Sequence, residues 1–123
     1  MSTATHDDAS VPAEDQELVT TANARFFRAL GDPTRIAIIQ LLLARPHSVS
    51  ELVKELDVPQ SRVSNHLACL RWCRFVATER KGRQVVYSIS DPRIRDLLQL
   101  ATRMAGANLE HLAASQRTGP DWL

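Results

Sequence analysis

At 123 residues the chain is long enough for one domain with its own buried core, without a disulfide or metal staple. A composition of 44% hydrophobic and 24% charged residues excludes a disordered or fibrous protein, and the longest apolar run, Ile36 to Ala44, is broken by Gln40 and too short to cross a membrane. The net charge of +1 hides an asymmetry: residues 1–17 hold Asp7, Asp8, Glu14, Asp15 and Glu17 with no Lys or Arg, whereas residues 60–83 hold Arg62, Arg71, Arg74, Arg80, Lys81 and Arg83 against Glu79 alone.

Residues 1–15 are polar, small and acidic and predict a disordered tail. They lack the basic and apolar regions of a signal peptide, which points to the cytoplasm, where two cysteines are reduced thiols or metal ligands rather than a disulfide. From about Gln16 to Leu30, Leu18, Ala22, Phe26 and Leu30 recur at helical spacing, and Gly31 ends the helix. Asp32-Pro33 starts a second helix, with Asp as cap and Pro in the first turn. Ile36, Ile38, Ile39, Leu41, Leu42 and Leu43 make that helix apolar nearly all round, so it is the central buried one. His47, after Pro46, reads as an exposed loop residue.

Ser48 and Glu51 have capping-box spacing, opening a short third helix with Leu52, Val53 and Leu56 inward. Asp57-Val58-Pro59 breaks it, and a fourth helix follows over QSRVSNHLACLRWC, Gln60 to Cys73. Val63, Leu67 and Leu70 form its apolar stripe. Ser61, Ser64, Asn65 and Ala68 lie on another face, small and polar enough to approach a base edge or a phosphate. Two helices joined by a short turn in this pattern make a helix-turn-helix. Its DNA-facing candidates are Gln60, Ser61, Arg62, Ser64, Asn65 and His66, with a structural role for His66 equally compatible with the spacing. Trp72 faces away from the apolar stripe and is expected in the core or an interface.

Phe75 to Thr78 and Gln84 to Ile89 are β-prone runs joined by the charged turn Glu79-Arg80-Lys81-Gly82-Arg83, a hairpin. A basic hairpin beside a helix-turn-helix is a wing, and Arg80, Lys81 and Arg83 are its candidate phosphate contacts. Asp91-Pro92 opens a last, long helix to about Ser115, within which Gly106 permits close approach of a partner helix or is a tolerated irregularity. The expected fold is mainly α with a β-hairpin wing, in the order four helices, two strands, one helix. The domain spans residues 16–116, and residues 117–123 form a C-terminal tail.

Cys69 and Cys73 lie four apart on the fourth helix, so their thiols share a face one turn apart. Thiolates select soft metals. Arg71 and Arg74, close in sequence, are expected to favour the thiolate form. Two sulfurs are too few for a closed zinc site but suffice for mercury(II); cadmium or lead would draw further ligands from His111, Glu110, water or a partner subunit. The plain alternative is a pair of small half-buried side chains. A thiol redox role remains open, although Cys-x-x-x-Cys is not the spacing of redox motifs. No nucleophile elbow, phosphate-binding loop or acid pair marks an enzyme.

The segments ALGDPTRIAIIQLL, SVSNHLACLR and KGRQVVYSI resemble the ArsR/SmtB family of small dimeric winged-helix repressors, over roughly residues 20–115. The resemblance implies a homodimer on double-stranded operator DNA and, for many members, a metal inducer. The cysteine pair on the fourth helix is similar to that of the cadmium/lead sensors and the mercury-resistance repressors of actinobacteria. Arsenic sensors place Cys-x-Cys where this chain has Ser48 and Ser50; zinc sensors place Asp-x-His where it has Asp91 and Arg93. The cadmium/lead sensors add a C-terminal cysteine near the position of Ala114, for which His111 is the nearest substitute ligand. Since the acidic tail has no apolar periodicity, deleting residues 1–14 is expected to leave the dimer intact and tighten DNA binding slightly. A monomer in size-exclusion chromatography would show that the tail is structural.

Overall fold

The structure, a computed structural model, describes residues 15–108, 110, 111 and 113. The acidic tail before Asp15 and the C-terminal tail of residues 117–123 lie outside the described residues. The chain divides into two compact units, Met1–Ile89 and Ser90–Leu123, within what the sequence predicts as one domain. No helix among the described residues is long and apolar enough to cross a membrane.

The first unit runs α1 (Gln16–Leu30), α2 (Pro33–Ala44), β1 (His47–Ser48), α3 (Val49–Leu56), α4 (Gln60–Trp72), β2 (Val76–Lys81) and β3 (Gln84–Ile89). Its core is α2 with Ile38, Ile39 and Leu42, α3 with Leu52, and α4 with Val63, Leu67 and Leu70, closed by Phe75 and Val76. Each such aliphatic side chain contributes about 1.5–3 kcal/mol by leaving water. The apolar stripe expected of α4 is therefore the one that is buried. The stripe of α1 behaves differently: only Ala29 and Leu30 are buried, and Leu18 and Phe27 are 70% and 57% exposed. Phe26 packs on Phe75 with ring centres 4.7 Å apart and the rings tilted, and meets Phe27 edge-on.

Local chemistry sets the helix ends. Asp32 caps α2, its Oδ1 accepting from the Thr34 and Arg35 N–H groups at 2.8 and 3.1 Å. Ser48 and Glu51 form the expected capping box: Ser48 Oγ accepts from the Glu51 N–H, and Glu51 accepts from the Ser48 N–H at 2.8 Å. Pro59 is the N-cap of α4, its carbonyl accepting from the Arg62 and Val63 N–H groups. At the other end the Phe75 N–H reaches the Leu70 carbonyl at 2.9 Å, with Arg74 at φ 65, the left-handed position where a glycine is usual. That reversal turns the chain from α4 straight into β2.

The hairpin is part of an antiparallel three-stranded sheet of order β1-β3-β2, one strand more than the sequence predicts. The extra strand pairs His47 with Tyr87 and Ser48 with Val86. It also corrects the expectation for His47, which is buried, with Nδ1 donating to the Arg45 carbonyl at 2.8 Å. Two residues with no periodicity to read acquire a partner only when β3 arrives. The ladder of β2 and β3 runs from Val76–Ile89 to Lys81–Gln84, so Glu79, Arg80 and Lys81 belong to a strand, and the turn is Gly82-Arg83 alone. Gly82 has φ +64 and open space around it, so conformation rather than crowding calls for glycine there.

The second unit holds α5 (Arg93–Ala105) and a 3-10 turn, Gly106–Asn108; Glu110, His111 and Ala113 are helical again. The helix expected to run unbroken to Ser115 is thus interrupted at Gly106, and among the described residues outside its own turn nothing lies within 4 Å of a Cβ placed there. Leu109, Leu112 and the stretch from Ala114 lie outside the described residues. Asp91 satisfies the Arg93 N–H at 3.0 Å and pairs with the Arg93 guanidinium at 2.6 Å, which holds its carboxyl down at about 2.

Partial burial works against the Asp32 carboxylate, yet the Arg35 N–H, the His66 ring and the Thr34 N–H together hold it below the ordinary aspartate range. A lowered carboxyl contributes stability that is full above the unfolded pKa of about 3.9 and is lost as pH falls through the folded value. Asp32→Ala is expected to cost about 1 kcal/mol near neutrality, the usual worth of a cap. Urea unfolding should show that difference shrinking below about pH 4; a difference independent of pH would contradict the assignment.

Candidate nucleic-acid interface and metal centre

Burial of Val63, Leu67 and Leu70 fixes which way α4 faces. Gln60, Ser61, Arg62, Ser64, Asn65 and Ala68 are all exposed. This is a small, polar helix face with its N-terminal turn open, the geometry by which a recognition helix enters a major groove. Arg80, Lys81 and Arg83 are exposed at the tip of the β2–β3 hairpin, where long cations reach a phosphate backbone.

His66 departs from that face. Its side chain is only 15% exposed, with Nε2 3.9 Å from Asp32 Oδ1 and Nδ1 3.3 Å from an Arg35 guanidinium nitrogen. Within this chain its neighbours are Arg35 and Asp32, the surroundings of a structural role. Arg35, which sequence reasoning did not single out, also donates to the carbonyls of Ala29 and Arg28 at 2.6 and 3.3 Å. Its only sequence signal is a lone cation in the first turn of an otherwise apolar helix.

Trp72 was expected in a core or interface, and within this chain it is 77% exposed. It separates two shallow grooves. One, about 670 Å³, lies between α1 and the end of α4, lined by Leu18, Ala22, Phe26, Trp72, Cys73 and Arg74 among others. The other is bounded by Ser64, Ala68, Arg71, Trp72 and Tyr87.

Cys69 and Cys73 are free and half-buried. Cys69 lies in the last turn of α4 and Cys73 is its C-cap, the Cys73 N–H donating to the Cys69 carbonyl at 3.0 Å. Burial first, then the neighbouring Cys69 and a hydrogen bond shared with it, push the Cys73 thiol up. The cation opposing this is Arg35, not Arg71 or Arg74. The expectation that Arg71 and Arg74 favour the thiolate is corrected at Cys73: Arg71, two residues before it, lies on another face of the helix, and Arg74 stands past the helix end in a left-handed turn. Two thiols one turn apart that interact with each other are placed to bind one soft ion together. Among the described residues no three His, Cys, Asp or Glu side chains gather into a metal-binding group. His111, the expected third ligand, is exposed in the second unit.

Residues 32–78 match the model of the bacterial regulatory proteins of the arsR family. The chain is 43% identical over 94 residues to a probable mercury resistance operon repressor of Streptomyces lividans, covering 76% of this chain and 75% of that protein. The crystal structure of Rv0081 from Mycobacterium tuberculosis superposes with a TM-score of 0.70 at 34% identity, over 77% of this chain and 96% of that one. The solution structure of the cadmium sensor CmtR from the same organism gives a TM-score of 0.54 at 42% identity, over 62% of this chain and 79% of that one. With its helix-turn-helix, its basic hairpin and these relatives, the chain belongs to the ArsR family of winged helix-turn-helix transcriptional regulators.

Proposed function

We propose that the protein is a cytoplasmic, metal-responsive repressor. As a homodimer it binds a two-fold operator and leaves it when a soft divalent ion binds Cys69 and Cys73. The observation that carries this reading is the placement of a thiol pair on the helix that presents the DNA-facing residues. A regulator whose ligand site and reading surface share one rigid element needs no long relay between them.

In the metal-free dimer, the two α4 helices would enter successive major grooves roughly 34–36 Å apart. Gln60, Ser61, Arg62, Ser64 and Asn65 would face base edges and phosphates, while Arg80, Lys81 and Arg83 neutralise phosphates from the wing. The exposed apolar residues of α1, Leu18, Phe26 and Phe27, support a partner subunit, since a monomer leaves them in water. The ion supplies a strong, polarisable bond to sulfur, which displaces the thiol protons. Mercury(II) ranks first because two sulfurs complete its coordination; cadmium(II) and lead(II) are the alternatives, for which His111 would be an added ligand. A redox enzyme using the same cysteines is disfavoured by the raised Cys73 thiol, since such enzymes lower the pKa of the attacking sulfur. Coupling is reciprocal: whatever factor the metal takes from DNA affinity, DNA takes from metal affinity.

Cys69→Ser and Cys73→Ser are each expected to keep fold, dimer and operator binding while abolishing release by mercury. One mercury per subunit should appear in the wild type as an ultraviolet thiolate-to-metal band. A double Cys69→Ser/Cys73→Ser variant that still leaves the operator on metal addition would remove this site. Selective release by cadmium or lead would keep the site and overturn the metal ranking.

Wing contacts are charge to phosphate, so the triple variant Arg80→Ala/Lys81→Ala/Arg83→Ala should weaken specific and non-specific binding together and lower the salt slope by about 2–3 units. Asn65→Ala should instead narrow the preference for operator over random DNA. An unchanged slope in the triple variant would take the wing out of the interface.

A further inference from the structure

The recognition helix carries a second stripe beside its buried one. His66, Cys69 and Cys73 stand at i, i+3 and i+7, along one face of α4, and all three are half-buried. Arg35 reaches this stripe from α2. Its Nε and one terminal nitrogen are moored on the carbonyls of Ala29 and Arg28 at the end of α1, and its other terminal nitrogen stands 3.3 Å from His66 Nδ1. A guanidinium only donates, so in this bond Nδ1 accepts and the ring proton sits on Nε2. Nε2 in turn lies 3.9 Å from Asp32 Oδ1, the oxygen that caps α2. The imidazole is thus hydrogen-bonded from α2 at Nδ1, with the α2 cap close to its other nitrogen. The same guanidinium is the cation that acts on Cys73.

We propose that Arg35, through His66, is the positioning residue that holds α4 in its operator-reading orientation and through which occupancy of the Cys69–Cys73 pair reaches the DNA-facing surface. The proposal rests on the metal-responsive reading above. Val63, Leu67 and Leu70 set which face of the helix is outward, and because apolar burial is non-directional, fine adjustment of its roll falls to directional contacts. A hydrogen bond from a side chain moored at the end of α1 is directional and sets that roll. Drawing both thiols onto one ion shifts the stripe that carries His66, and the residue it shifts against is Arg35.

The test compares His66→Leu, which removes the acceptor at similar volume, with His66→Gln, whose amide oxygen can still accept from Arg35. For both, operator affinity is measured with and without mercury(II), together with salt slope, the thiolate-to-metal band and thermal unfolding. His66→Leu is expected to lower metal-free operator affinity by about tenfold or more, the worth of a hydrogen bond to a charged group. It should shrink the further loss caused by mercury and leave the salt slope and the band unchanged. His66→Gln should recover most of both. Arg35→Lys, which keeps the charge and loses the fork, should match His66→Leu. Wild-type affinity and full release in His66→Leu would overturn the proposal. So would a loss equal on operator and random DNA with a slope lower by about one unit, which would make His66 a phosphate contact. Loss of the band would make it a ligand. Wild-type protein that stays on the operator with mercury bound would sink the sensing reading and the transmission half of this proposal; the metal-free affinity of His66→Leu still decides the positioning half.

Discussion

The burial of one stripe of α4 governs the rest of the molecule. Val63, Leu67 and Leu70 are completely removed from water, and truncating either leucine to alanine would be expected to cost about 2–5 kcal/mol. That seating turns one face of the helix outward with its small polar side chains, and another toward Arg35 with its histidine and two thiols. The proposed reading surface and the proposed ligand site are therefore consequences of a single packing decision. Neither can move without the other, because both ride on the same helix.

The thiol pair does not sit in a ready-made metal cage. It is half-buried, its members interact with each other, and Cys73 is harder to ionise than an open thiol. At Cys73 this favours the protonated thiol, so on the proposed reading an ion must have high affinity for sulfur to displace that proton.

Much of the fold was legible in the sequence because its signals are local. The capping box of Ser48 and Glu51, the Asp32 cap and the period of Val63, Leu67 and Leu70 each involve residues within one or two helical turns. The features that escaped depend on partners distant in the chain. His47 reads as a loop residue until β3 pairs with it; Arg35 reads as an unremarkable cation until His66 and the end of α1 come within reach. The stripe of α1 was legible as a pattern, but its exposure was not, since periodicity says that a face is apolar and not what covers it. The thiol pair was legible from spacing, while its electrostatics was not: the cation that matters comes from another helix.

The account makes metal and operator antagonists through one helix, and that antagonism is most directly tested from the metal side. Mercury affinity should be measured by competition with a small thiol chelator under reducing conditions, once with free protein and once with protein saturated by operator DNA. The account predicts that operator weakens mercury binding by the same factor by which mercury weakens operator binding. Mercury affinity unchanged by saturating operator would contradict it.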